Sequence, residues 1–264
     1  MSTIGVRGIE LAYQVSGSGP WLIWGHGLSS SMAREADLGI IDWSTWNGNA
    51  TVVRYDARGH GESESTAEPA GYHWRELAQD QLALATELGI ETYVAGGASM
   101  GCATALHAAV IAPSRINALL LAIPPTAWQT RVAQTAMYEI SAQLVETGQA
   151  DLMVAGARAT PPPDPLVGNE LWLDGIETTF RSSDPVRLAR VFRGAAVADL
   201  PSPEEIAALQ VPTLILAWTG DAGHPISTAE RLMDLMPHAT LMAASTAEEL
   251  DEWTQASADF VNNP

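Results

Sequence analysis

The sequence contains no lysine: all 13 basic residues are arginine, set against 31 Asp+Glu, for a formal net charge of −18. That absence excludes a Schiff-base lysine, a P-loop lysine and the lysine of a kinase site, each of which needs an ammonium. So acidic a chain also argues against nucleic acid, where affinity comes mainly from cations set on phosphates, and against docking to anionic lipid. The single cysteine, Cys102, excludes an intrachain disulfide and any Cys-based zinc cage. No metal and no cofactor are expected. No apolar run approaches the roughly 20 residues a membrane helix needs. The start, Met-Ser-Thr-Ile-Gly-Val-Arg-Gly, lacks a signal-peptide core. The expectation is a soluble cytoplasmic protein with a small-molecule substrate.

What is present is an alternation of strands and helices. With 47% hydrophobic and 17% charged residues in 264, the chain is globular and long enough for a large core. Ile9 to Gln14, Trp21 to Trp24, Thr51 to Tyr55, Thr92 to Ala95, Ile116 to Ile123, Val211 to Trp218 and Thr240 to Ala243 read as strands. Between Trp74 and Leu88 apolar residues recur at three- and four-residue steps, a helix face, and Gly89 supplies its stop. Further helices are expected up to Ile111, over 228–236 and up to Phe260. The fold class is α/β: a mostly parallel twisted sheet with helices on both faces. Segment 126–200 breaks the rhythm, with helical patterns over 132–154 and 188–198 divided by Thr160-Pro-Pro-Pro-Asp-Pro165. It is expected as a helical lid on a core formed by 1–125 and 201–264.

The chemistry-bearing run is Val94-Ala-Gly-Gly-Ala-Ser-Met-Gly101, which contains G-x-S-x-G with a strand before it and a helix after it. Only small neighbours let such a turn close, and the helix start directs free N–H groups at the serine oxygen. His26-Gly27 follows one strand and Asp56-Ala-Arg-Gly-His-Gly-Glu-Ser63 the next. With these runs the chain resembles the α/β-hydrolase family over nearly its whole length. The resemblance implies Ser99 as nucleophile, the Leu28 and Met100 N–H groups as oxyanion hole, and structural roles for His26 and His60. It separates the chain from the dehalogenase and epoxide-hydrolase branches, which attack with aspartate. Ala217-Trp-Thr-Gly-Asp-Ala-Gly-His-Pro225 resembles the family's acid loop, which makes Asp221 the triad carboxylate.

The family's histidine follows the last strand, where this chain reads Leu241-Met-Ala-Ala-Ser-Thr-Ala-Glu-Glu249 and has none. His238 precedes that strand and belongs at the opposite sheet edge. His224 stands three residues after Asp221, with Gly220 and Gly223 each directly before one of the pair, and would need a tight loop to reach Ser99. Three outcomes stay open: His224 is the base, another histidine (His26, His73 or His107) serves, or the site is degenerate or non-hydrolytic. A serine hydroxyl without a base is a poor nucleophile, because its proton must leave as the oxygen attacks. Cys102 reads as a small packing residue. Among the tryptophans, Trp24, Trp43, Trp46, Trp128 and Trp172 are candidates for a pocket wall. The leading expectation is a serine hydrolase cleaving an ester, thioester or lactone of a small apolar substrate through an acyl-enzyme. The alternatives are a ligand binder on the same scaffold and a lyase or isomerase using the oxyanion hole.

Overall fold

A computed structural model describes residues 1–46, 48 and 50–264. Eight strands form one sheet in the order β1-β2-β4-β3-β5-β6-β7-β8, where β1 is Ser2–Val6, β2 Ile9–Gly17, β3 Trp21–Gly25, β4 Thr51–Tyr55, β5 Tyr93–Ala98, β6 Ile116–Ala122, β7 Thr213–Trp218 and β8 Ala239–Ala244. β1 and β2 form an antiparallel hairpin, and β2 also runs antiparallel to β4. Every pair from β4 to β8 is parallel. The sequence pattern missed β1, a strand with only Val6 buried and hence little apolar signal.

The central strands β5, β6 and β7 are buried along nearly their whole length because both faces are covered. Leu119 and Leu121 of β6 pack on one face with Leu106 and Leu84, which belong to helices α3 (Met100–Ile111) and α2 (Trp74–Glu87). Leu120, between them, packs on the other face with Trp253 and Val261 of α10 (Ala247–Asn262). α1 (Met32–Leu38) follows β3, the short α8 (Pro203–Ala207) precedes β7, and α9 (Ile226–Leu235) links β7 to β8.

Between β6 and β7 run α4 (Arg131–Glu146), α5 (Ala150–Ala159), α6 (Glu170–Ser182) and α7 (Pro185–Ala196). The helix expected over 132–154 is therefore two, broken where Gly148 takes a positive φ of 72°. α6 is absent from the sequence reading, and of its described residues only Gly175, which has no side chain, is fully buried. α4 and α7 pack through Ala142, Val145, Leu188, Ala189 and Phe192. Arg131 pins their base: its Nε donates to Ala198 O (2.9 Å) and its Nη2 to Ala195 O (2.5 Å), with the guanidinium 4.1 Å from the Trp74 ring centroid. No helix among the described residues is long and apolar enough to cross a membrane.

Candidate active site

In an open parallel sheet the carboxyl ends of the strands meet a crevice, and here three loops deliver side chains to it. The first is the turn from β5 into α3. Ser99 stands between them with φ 54° and ψ −109°, a strained backbone for a residue with a side chain. Two close approaches enforce this turn. A Cβ on Gly97 would lie 2.6 Å from Gly25 O, and one on Gly101 would lie 2.6 Å from the Gly25 carbonyl carbon and closer still to its oxygen. Glycine at both positions lets α3 start directly against the end of β3, and the Ser99 N–H donates to Ala122 O (3.0 Å).

The second loop follows β3. His26 is buried; its Nε2 accepts from the Ala57 N–H (2.9 Å), which leaves Nδ1 to donate to Gly27 O (2.8 Å). The imidazole thus braces the turn instead of facing Ser99, and burial pushes its pKa down. A Cβ on Gly27 would come within 3.6 Å of Ser99 Cβ, so this turn lies directly beside the serine. Among the described residues neither the Leu28 nor the Met100 N–H donates a hydrogen bond within the protein. His60 is likewise structural: burial lowers it to about 3, and its Nδ1 contacts Arg58 O (3.0 Å). Around it the Asp56–Ser63 loop is cross-braced by Asp56 Oδ1, which accepts from Met32 N, by Asp56 Oδ2, which accepts from Glu62 N, and by a two-pronged Arg58–Asp80 ion pair.

The third loop follows β7 and resolves the question of the histidine's reach. His224 Nε2 lies 2.7 Å from Ser99 Oγ, and its Nδ1 lies 2.7 Å from Asp221 Oδ2. Asp221 Oδ1 accepts from the Gly223 N–H (2.8 Å) and the His224 N–H (3.3 Å), which curls the chain back on itself. Asp221 Oδ2 also accepts from the Trp218 indole N–H (2.9 Å). Burial alone would raise the Asp221 carboxyl, but the His224 imidazole, the Gly223 amide and the Trp218 indole outweigh it and hold the group at about 2. The expected crowding between acid and base three residues apart is relieved by this turn, with Gly220 at a positive φ of 79°.

The loop after β8 has no histidine; Thr246 and Glu249 there form a capping box at the start of α10. His238 is exposed at the other sheet edge, where its carbonyl accepts from the Thr213 N–H. The His73 and His107 rings lie 6.3 Å apart at a tilt of 55°, neither lines the cavity above Ser99, and His107 Nε2 contacts Asp199 O. Cys102 is buried behind the elbow.

Over the three loops lies a cavity of about 740 Å³, bounded below by Ser99, His224 and Leu28 and above by side chains of α4–α7. Trp24, Trp43 and Trp172 line it as expected; Trp46 and Trp128 do not, while Trp218 and Trp253, at the ends of β7 and inside α10, do. Trp218 was legible as the last residue of an apolar run three before Asp221. Trp253, on a helix remote in sequence, carried no such signal.

A model of the alpha/beta hydrolase family matches residues 15–256. RutD of Stutzerimonas stutzeri (strain A1501), whose name assigns it carbamate hydrolysis only provisionally, is 25% identical over 216 residues, 81% of this chain and 80% of that protein. The 3-oxoadipate enol-lactonase 2 of Acinetobacter baylyi is 24% identical over 191 residues, 72% of this chain and 68% of that protein. The crystal structure of the enol-lactonase from Burkholderia xenovorans LB400 superposes with a TM-score of 0.80 at 22% identity, covering 99% of this chain and 100% of that one.

Proposed function

The chain belongs to the alpha/beta hydrolase family, and from that premise we propose that it is a serine hydrolase cleaving an ester, thioester or lactone of an apolar substrate. The observation that carries this reading is the single imidazole, His224, bridging Asp221 and Ser99 Oγ at 2.7 Å on each side. Ser99 Oγ attacks the carbonyl carbon while its proton passes to His224 Nε2. Asp221 holds the Nδ1–H and stabilises the imidazolium. The Leu28 and Met100 N–H groups, uncommitted and beside the serine, receive the oxyanion. His224 then gives the proton to the departing alcohol or thiol, and water releases the acid by the reverse sequence.

The names of the relatives, enol-lactonase and a provisional carbamate hydrolase, support cleavage of an acyl–heteroatom bond. Residues 126–200 act in this reading as a lid whose underside completes the cavity. Its largely aromatic and aliphatic walls favour an apolar substrate, and about 740 Å³ accommodates more than a small acyl group. The binder and the lyase or isomerase alternatives drew on the missing histidine after the last strand, and the contacts of His224 favour the hydrolytic reading over both. The test is labelling with a fluorophosphonate together with turnover of a 4-nitrophenyl ester panel. Wild type should label at Ser99 and turn over, and Ser99→Ala should lose roughly 10⁵-fold in kcat. Wild-type turnover without labelling, or turnover that survives Ser99→Ala, would sink the proposal.

A further inference from the structure

Among the residues lining the cavity, Glu35 of α1 is the one carboxylic acid. Its Oε2 accepts from the Trp24 indole N–H at 2.9 Å, and Trp24 is itself buried on β3. No salt bridge to it is found among the described residues. The carboxyl sits under the turn that follows β3, where the Gly27 amide acts on it. Gly27 in turn packs against Ser99 and immediately precedes Leu28. The acid therefore borders the same cavity as Ser99, next to the turn whose Leu28 N–H receives the oxyanion in the hydrolase reading.

Resting on the hydrolase reading above, we propose that Glu35 is a positioning residue that controls the oxyanion turn: turnover proceeds while its carboxyl holds a proton and is suppressed when the proton is lost to solvent in the cavity. The physics is one of charge. In the transition state a negative charge develops at the Leu28 and Met100 N–H groups, and a carboxylate fixed next to that turn opposes it. A carboxylate would also draw the Gly27 N–H toward itself and disturb the donors that the turn presents.

The surroundings favour the neutral form near neutral pH. Burial raises the Glu35 carboxyl to about 8, against the Trp24 indole, the Arg54 guanidinium and the Gly27 amide, while Asp56 adds to the rise. Arg54 comes from β4 and Asp56 from the end of the same strand, so their charges oppose each other. On its own helix Arg34 is engaged elsewhere, donating to Leu171 O (2.6 Å) of α6 and lying near Asp37 and Asp174. In the turn itself, His26 is held neutral by burial and its bonds. Across the cavity stands His224, committed to Ser99 and Asp221.

The experiment measures kcat/KM for a 4-nitrophenyl ester, and in parallel the rate of fluorophosphonate labelling, from about pH 6 to about pH 9.5 in wild type and Glu35→Gln. Wild type should fall roughly tenfold to a hundredfold as pH rises through about 8. Glu35→Gln keeps shape and hydrogen bonding but has no proton to lose, so its profile should lack that fall. An infrared titration of wild type, independent of turnover and of the variant's folding, should show a protonated carboxyl band near neutral pH that vanishes by about pH 9.5. Absence of that band, a flat wild-type profile, or an alkaline fall unchanged in Glu35→Gln overturns the inference and leaves the hydrolase reading standing. Failure to label at any pH sinks the hydrolase reading, and this inference with it.

Discussion

Two glycines in helices mark the contrast between the elbow and the insertion above it. Gly101, one residue into α3, has the Gly25 carbonyl pressed against it, whereas Gly156 in α5 has nothing within 4 Å of where a Cβ would go. Around the elbow, backbone meets backbone, so geometry is set by sterics that tolerate no added atom. In the insertion, helices meet through side chains and several large apolar groups remain exposed, among them Met137, Ile140 and Leu152. Under the proposed hydrolase reading, the difference assigns reaction geometry to the elbow and its neighbouring loops, and breadth of substrate to the helices above.

The comparison breaks most sharply on those two glycines. Gly101→Ala should destabilise the protein by about 4 kcal/mol or more, since β3 or α3 must move to admit the methyl group. Gly156→Ala should be neutral or stabilising by up to about 1 kcal/mol, because alanine is the better helix former. Urea unfolding measures both. Equal effects at the two sites would refute the contrast.

Next in size is His224→Ala, which should reduce kcat by roughly 10³-fold or more with KM little changed. A loss below about tenfold in steady-state assays would remove His224 from the mechanism. Asp221 supplies a smaller effect. Its folded pKa lies at about 2, below the ordinary value of 3.8, so it contributes stability that is fully present above pH 4 and lost as pH falls through about 2. The depression corresponds to about 2 kcal/mol. Asp221→Asn lacks this contribution, so the stability gap between it and wild type should narrow from pH 6 to pH 3 in chemical denaturation. A gap independent of pH would count against the depressed carboxyl.

The elbow was legible because its constraints are local. Gly97, Ser99 and Gly101 declare a sharp strand-to-helix turn within five consecutive residues, and His26-Gly27 and Asp56–Ser63 are read the same way. Asp221 and His224 were both visible, yet their joint geometry was not, because it depends on a two-residue curl stabilised by the Gly223 N–H and on the Trp218 indole. Glu35 had no sequence signal at all. An acid in the first turn of a surface helix is ordinary, and only its contact with Trp24 of β3, beside the turn that follows that strand, makes it unusual. Trp253 likewise reaches the cavity only because α10 lies across β6 and β7.

The contrast is sharpened, with the smallest change in turnover, at Trp172 on α6. Its ring lies 5.7 Å from that of Trp218 in an edge-on arrangement, so it joins α6 to the end of β7. It is only partly buried, and no other aromatic pair anchors α6 to the sheet among the described residues. Trp172→Ala should therefore leave the elbow intact and enlarge the cavity on the side of the insertion. For an ester with a bulky aromatic acyl group, loss of the indole wall should raise KM roughly tenfold, the scale of one aromatic contact with its buried area. For a short acyl ester, which does not reach that wall, KM should stay within about threefold. In both cases kcat should hold within about threefold, since no group that moves a proton or binds the oxyanion has changed. A fall in kcat comparable to that of His224→Ala would show that the insertion shapes the reaction as well as the substrate, and the division drawn between the two regions would fail.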